Sequence, residues 1–137
     1  MHDLLLIEDS DSDAEMVKRA LRQARVRNPV IRLIDGFRAM EHITRIEQAF
    51  ETGTPPAPSV LLLDLKLPGT SGFEILAEIK NRTSFSKTLK VVFSDLQSTE
   101  EIKRAYAAGA HSFLTKPVHA QDLRELILTF PDYWLLD

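Results

Sequence analysis

Apolar residues fall along this chain in two rhythms. Short apolar runs occupy residues 4–7 (Leu4, Leu5, Leu6, Ile7) and 60–63 without a break, and 30–34 and 89–93 with one charged residue each, Arg32 and Lys90; a shorter run lies within 112–115. Runs of this length suit strands buried on both faces, as in a parallel sheet covered by helices. Between them the apolar positions recur at helical spacing. Val17, Leu21 and Ala24 share one face of a first helix running to about Val26, where Asn28-Pro29 breaks it. Phe37, Met40, Ile43, Ile46 and Phe50 mark a second helix, and Phe73, Leu76 and Ile79 a third that frays over 81–86. Leu123, Leu126, Ile127 and Phe130 mark the fifth, which Pro131 ends.

Polar residues supply the punctuation. Ser10, Asp11, Ser12 and Asp13 are helix-capping types placed before the first helix. Residues 51–59, with three prolines and a glycine, form a loop, and a Pro/Gly/Ser segment leads to Gly72. Ser98-Thr99-Glu100-Glu101 has capping-box spacing and starts the fourth helix, which Gly109 closes. Strands therefore alternate with helices from end to end. The pattern predicts a single α/β domain with right-handed crossovers and a parallel five-stranded sheet with helices on both faces. The domain is expected over residues 1–130, followed by an aromatic tail at 131–137 that either folds back or covers a partner.

Composition narrows the class without naming a function. At 137 residues the chain has room for one hydrophobic core, and its 44% apolar and 27% charged residues are ordinary for a globular protein. A net charge of −3 gives no field suited to nucleic acid or an anionic membrane. The absence of cysteine excludes disulfides, thiolate catalysis and Cys-ligated zinc. No run is long enough to span a bilayer and Met1-His2-Asp3 does not begin a signal peptide, so a cytoplasmic protein is expected.

The chemistry collects at the C-terminal ends of the strands, the edge where open α/β sheets carry their sites. Glu8 and Asp9 follow the first strand, Asp64 the third, Ser94 the fourth and Lys116 the fifth. Taken singly, each has an ordinary reading: a capping pair, a turn aspartate, a turn serine and a solvated lysine. Taken together, three carboxylates on one edge repel one another unless a hard dication such as Mg²⁺ lies among them. Asp64 can then act as a nucleophile toward a phosphoryl group, with Lys116 holding a phosphoryl oxygen and Ser94 hydrogen-bonding the product.

These residues, with Pro68-Gly69, Gly72 and Pro117, resemble the receiver domain of two-component response regulators, over about residues 4–130. The resemblance implies a flavodoxin-like strand order 2-1-3-4-5. It implies that Asp64 is the phosphoacceptor, taking the group from a phosphohistidine on a histidine kinase. Asp9, Asp64 and the backbone carbonyl of Lys66 would ligate Mg²⁺, with Glu8 acting through water. Lys116 would pair with phosphoryl oxygens, the Lys116-Pro117 peptide would be cis, and Ser94 and Phe113 would form a switch. Read from the residues alone, Phe113 is equally a plain core aromatic.

Lys18, Arg19, Arg22, Arg25 and Arg27 make a basic side on the first helix. Most such runs are solvated faces, but the resemblance places kinase docking there, at Arg22 and Lys18. The long loop and aromatic tail are similar to those of stand-alone receivers that partner phytochrome-type kinases. The implied protein is a stand-alone regulator that switches docking to a downstream protein, and a homodimer through helix four, strand five, helix five and the tail. Passing the group to a second histidine is the alternative output. A phosphohydrolase is disfavoured because Lys66 stands where a second acid would be needed, and flavin binding because Glu8-Asp9 has the wrong charge. An unphosphorylated pseudo-receiver is disfavoured by the intact Asp9, Asp64 and Lys116. Asp95 departs from the family pattern, which usually has a small residue beside the switch serine, and it makes the lifetime of the phosphorylated state an open quantity.

Overall fold

The computed structural model describes residues 2–53, 57–95 and 98–137. Five strands, β1 (Leu4–Ile7), β2 (Val30–Leu33), β3 (Val60–Asp64), β4 (Leu89–Ser94) and β5 (Ser112–Thr115), form one parallel sheet in the order β2-β1-β3-β4-β5. Five helices join them: α1 (Asp11–Gln23), α2 (Gly36–Glu51), α3 (Gly72–Lys80), α4 (Thr99–Ala107) and α5 (Ala120–Thr129). Thr54, Pro55 and Pro56 of the expected 51–59 loop lie outside the described residues. Among the described residues no helix is long and apolar enough to cross a membrane.

The central strands are buried on both faces, which is why β1 and β3 read as continuous apolar runs and β4 departs from one only at Lys90 before its terminal Ser94. Alternate residues feed two cores. Leu4, Leu6 and Leu62 face α1 and α5 with Val17, Leu21 and Leu123. Leu5, Ile7 and Leu63 face the other layer with Ile43, Ile75 and Leu76. Serine caps begin α1, α3 and α4, through Ser10, Ser71 and Ser98, and Asp35 begins α2. Gly109 follows the last turn of α4 at φ 109°, where a side chain would be strained.

Several sequence expectations are corrected by packing. The first helix stops at Gln23, not Val26, because Arg25 turns the chain at φ 64° and the Val26 N–H bonds back to the Leu21 carbonyl. Ile34 is outside β2 and exposed. The 81–86 stretch is not a frayed end: Thr83–Phe85 forms a 3-10 turn that drives Phe85 into the core. Phe37 has the helical spacing of a core residue but is 73% exposed; the buried α2 positions are Gly36, Ala39, Ile43 and Ile46.

The tail folds back. Trp134 is 7% exposed and joins the α1/α5 core, its indole N–H on the Phe130 carbonyl. Leu136 pairs with Val26 as an antiparallel bridge, and Asn28 binds both Tyr133 and Leu135. This anchoring lies at the N-terminal ends of the strands, opposite the acidic edge.

Candidate functional site

Asp64 ends β3, so the strand that buries Val60 to Leu63 also fixes its carboxylate. One oxygen, Oδ1, accepts the Lys66 N–H at 3.0 Å, and Oδ2 faces the Lys116 ammonium at 3.0 Å. Gly72 lets the start of α3 approach this point: its N–H donates to the Leu65 carbonyl, and a β-carbon there would lie 2.6 Å from the Leu65 Cα. Lys116 arrives from the end of β5. Its N–H donates to the Ser94 carbonyl at 2.9 Å, and the Lys116-Pro117 peptide is cis.

The Lys116 ammonium has three acidic neighbours. Besides Asp64, it lies 2.8 Å from Glu8 Oε1 and 3.0 Å from Asp13 Oδ2. Burial by itself lowers the lysine pKa, but the hydrogen bonds it donates to Glu8, Asp13 and Asp64 outweigh it and hold the group above its ordinary value. Glu8 is fully buried. Burial first, and then a hydrogen bond with Asp64, push its pKa up to about 8 against the pull of Lys116. Two carboxyl groups this close hold a proton between them when no stronger cation is there.

Asp9 is exposed beside this pair, and Glu8, Asp9 and Asp64 each offer a carboxylate oxygen within 4.8 Å of the others. Three hard oxygen donors, two buried and one open to solvent, suit Mg²⁺, which keeps several waters. The excess of acid over base, and the burial that raises the Glu8 pKa, are what such a cation would relieve. The donor set therefore fits the metal that the sequence implies.

Ser94, at the end of β4, is buried one strand from Asp64. Phe113 sits mid-β5, half-buried against the α2–α4 layer, and lines a cavity of about 480 Å³ with Pro117 and His119. Arg22 and Lys18 lie on α1, where Arg22 is exposed and pairs with Glu15 at 3.3 Å. Asp95 is exposed 3.9 Å from Lys66, so its charge is partly balanced at the rim.

Two residues of this region were not singled out from the sequence. Asp13 reads as one of several acids at a helix N-terminus, and only the fold shows it turned onto Lys116. Arg32 reads as a polar position in a strand, yet its guanidinium donates to the Glu8 carbonyl and to Asp11. A charged residue inside an otherwise apolar strand was the available signal.

Residues 4–128 match the family described as the response regulator receiver domain. The chain is 31% identical over 132 residues to "Response regulator Rcp1" of Synechocystis sp., covering 96% of this chain and 88% of that protein. Among solved structures, the bacteriophytochrome response regulator RtBRR is similar with a TM-score of 0.82 at 28% identity, covering 100% of this chain and 82% of that one. The Mn²⁺-bound form of Rcp1 is similar with a TM-score of 0.73 at 29% identity, covering 100% and 99%. A five-stranded sheet of this order, an acidic edge closed by a lysine, and a match over nearly the whole chain agree: the protein belongs to the response regulator receiver domain family.

Proposed function

We propose that this receiver accepts a phosphoryl group on Asp64 from the phosphohistidine of a histidine kinase, in a Mg²⁺-dependent reaction, and that the change of state alters its docking to another protein. The observation that carries this reading is the Lys116 ammonium fixed 3.0 Å from Asp64 Oδ2 beside the Glu8, Asp9 and Asp64 oxygens. A carboxylate oxygen of Asp64 forms the new P–O bond as the P–N bond of the donor breaks, the electron pair leaving with the imidazole nitrogen. Lys116 would supply a fixed positive charge for a phosphoryl oxygen, and Ser94 would sense the product, a reading supported by its buried position one strand from Asp64. Asp9 and Asp64, with the Lys66 carbonyl, would hold the metal, and Glu8 would act through water. When bound, the metal neutralises phosphoryl and carboxylate oxygens. The Mn²⁺ in the similar Rcp1 structure supports a divalent cation here.

The likeness to a bacteriophytochrome response regulator supports a phytochrome-type kinase as donor, with α1, at Arg22 and Lys18, as its docking side. The same proposal includes a homodimer through α4, β5 and α5 with the tail contributing. It is supported by Leu128, 82% exposed on α5, and by the exposed Leu135 and Leu136. Leu128→Glu should shift sedimentation to the monomer if α5 is the interface, and no shift would remove it.

The direct test is intact mass after acetyl phosphate in Mg²⁺, wild type against Asp64→Asn. A phosphoryl adduct on wild type alone is expected. No Asp64-dependent adduct on wild type would leave a binding module that is never phosphorylated.

A further inference from the structure

Glu8 and Asp9 act as a pair only if the turn after β1 keeps a fixed direction, and that turn is held from outside. Arg32 stands on β2 in register with Leu6, its side chain largely covered at 18% exposure. Two guanidinium nitrogens, Nε at 3.1 Å and Nη2 at 2.9 Å, converge on the carbonyl oxygen of Glu8. The third, Nη1, reaches Asp11 Oδ1 at 2.8 Å. The Glu8 N–H is already on the Leu33 carbonyl at 3.0 Å. Neighbouring β2 residues therefore hold Glu8 from both sides of its backbone, and the carbonyl that Arg32 grips belongs to the peptide that starts Asp9.

We propose that Arg32 is a positioning residue for the cation site, aiming the Glu8 and Asp9 carboxylates at Asp64 through its fork on the Glu8 carbonyl. The assignment rests on the phosphoacceptor reading of Asp64 and adds the residue that organises its metal-binding partners. The fork is the part that matters. The Asp11 carboxylate is almost wholly exposed, and an ion pair to such a group adds little. A lysine would keep the charge but present one point donor in place of a planar fork.

Charge and position push the metal affinity in opposite directions, which makes the idea testable. Removing a positive charge near three acids strengthens the attraction for Mg²⁺, whereas loosening the turn weakens it. Mg²⁺ is titrated into wild type, Arg32→Lys and Arg32→Met without any phosphodonor, and followed by backbone amide NMR shifts. Both variants should bind Mg²⁺ more weakly, by about 10- to 100-fold, the range seen when groups orienting metal ligands are removed. Before any metal is added, the amides of residues 8–11 should already shift in Arg32→Lys while the β3 and β4 amides stay in place. Unchanged or tighter Mg²⁺ binding in Arg32→Met, or unchanged binding in Arg32→Lys, overturns the assignment. Wild-type protein is tested alongside for Mg²⁺ binding and Asp64 phosphorylation. Failure there sinks the phosphoacceptor reading and this one together, whereas normal wild type with unaffected variants sinks only the role of Arg32. Should Arg32→Met not fold, Arg32→Lys decides the question alone.

Discussion

Lys116 and Asp13, 103 positions apart in sequence, meet at 3.0 Å. The contact gives the charge balance of the site an extra member, because the ammonium that faces Asp64 also answers to the first turn of α1. Asp13→Asn removes that competitor and one negative charge from the approach to Asp64. A partly exposed pair of this kind is worth about 1 kcal/mol, or roughly fivefold in a rate or equilibrium. Phosphorylation of Asp64 by acetyl phosphate should therefore speed up about fivefold in Asp13→Asn, as measured by intact mass against time. An unchanged rate would mean that Lys116 is already committed to Asp64.

Glu8 makes the metal-free protein sensitive to pH. Its pKa rises from 4.5 to about 8 on folding, so the folded state holds a proton that the unfolded chain has released. The stability linked to that proton is complete below 4.5 and is lost as pH rises through about 8. Mg²⁺ must displace the same proton. Below pH 8 its affinity should climb by up to about tenfold per pH unit and then level off. Glu8→Gln should flatten this dependence, which Mg²⁺ titrations at three pH values would reveal.

Gly72 is required by its surroundings. A β-carbon there would lie 2.6 Å from the Leu65 Cα and 2.7 Å from the Asp64 carbonyl oxygen, and both are backbone atoms that move only with the strand end. Gly72→Ala should cost about 1–3 kcal/mol in urea unfolding. Folded Gly72→Ala should also phosphorylate more slowly, since relief of the clash shifts the Asp64–Leu65 peptide.

Asn28 holds the tail with both ends of its amide. Its nitrogen donates to the His2 carbonyl at 2.7 Å, the Tyr133 carbonyl at 3.1 Å and Ser59 Oγ at 3.2 Å, while its oxygen accepts the Leu135 N–H at 2.7 Å. Asn28→Ala leaves several of these buried groups unpaired and should cost at least about 2 kcal/mol. Trp134 is the single tryptophan, so its emission should shift to the red as the tail loosens. Phosphorylation of Asp64, at the other edge of the sheet, should be unaffected.

How much of this was readable beforehand depended on the range of each signal. β1 and β3 announce themselves because a strand covered on both faces reads as a continuous apolar run, and β4 does so through its stretch 91–93. Once the strands are parallel, Asp64, Ser94 and Lys116 fall on one edge by geometry. Asp13 and Arg32 escaped because their partners are distant in sequence: nothing local marks an acid as turned inward, and an arginine in an apolar strand signals a partner without saying which. Lys90 escaped for the opposite reason. It sits in a fully buried strand, and its ammonium is satisfied by the Phe85 and Thr88 carbonyls from a turn too short for any periodicity to show. Phe37 shows that helical spacing alone does not say which apolar positions of a helix face the core.

Lys116 draws together β1, α1 and β3 from the end of β5, so one nitrogen atom works as a clasp across the whole length of the chain. A clasp of this kind opens from the side that is out-bid. Were Asp64 to gain the charge of a phosphoryl group, as proposed, the ammonium would be drawn toward it and α1 would be the element let go. The earliest mechanical trace of such a signal would then be a looser first turn of α1, on the helix that carries Lys18 and Arg22.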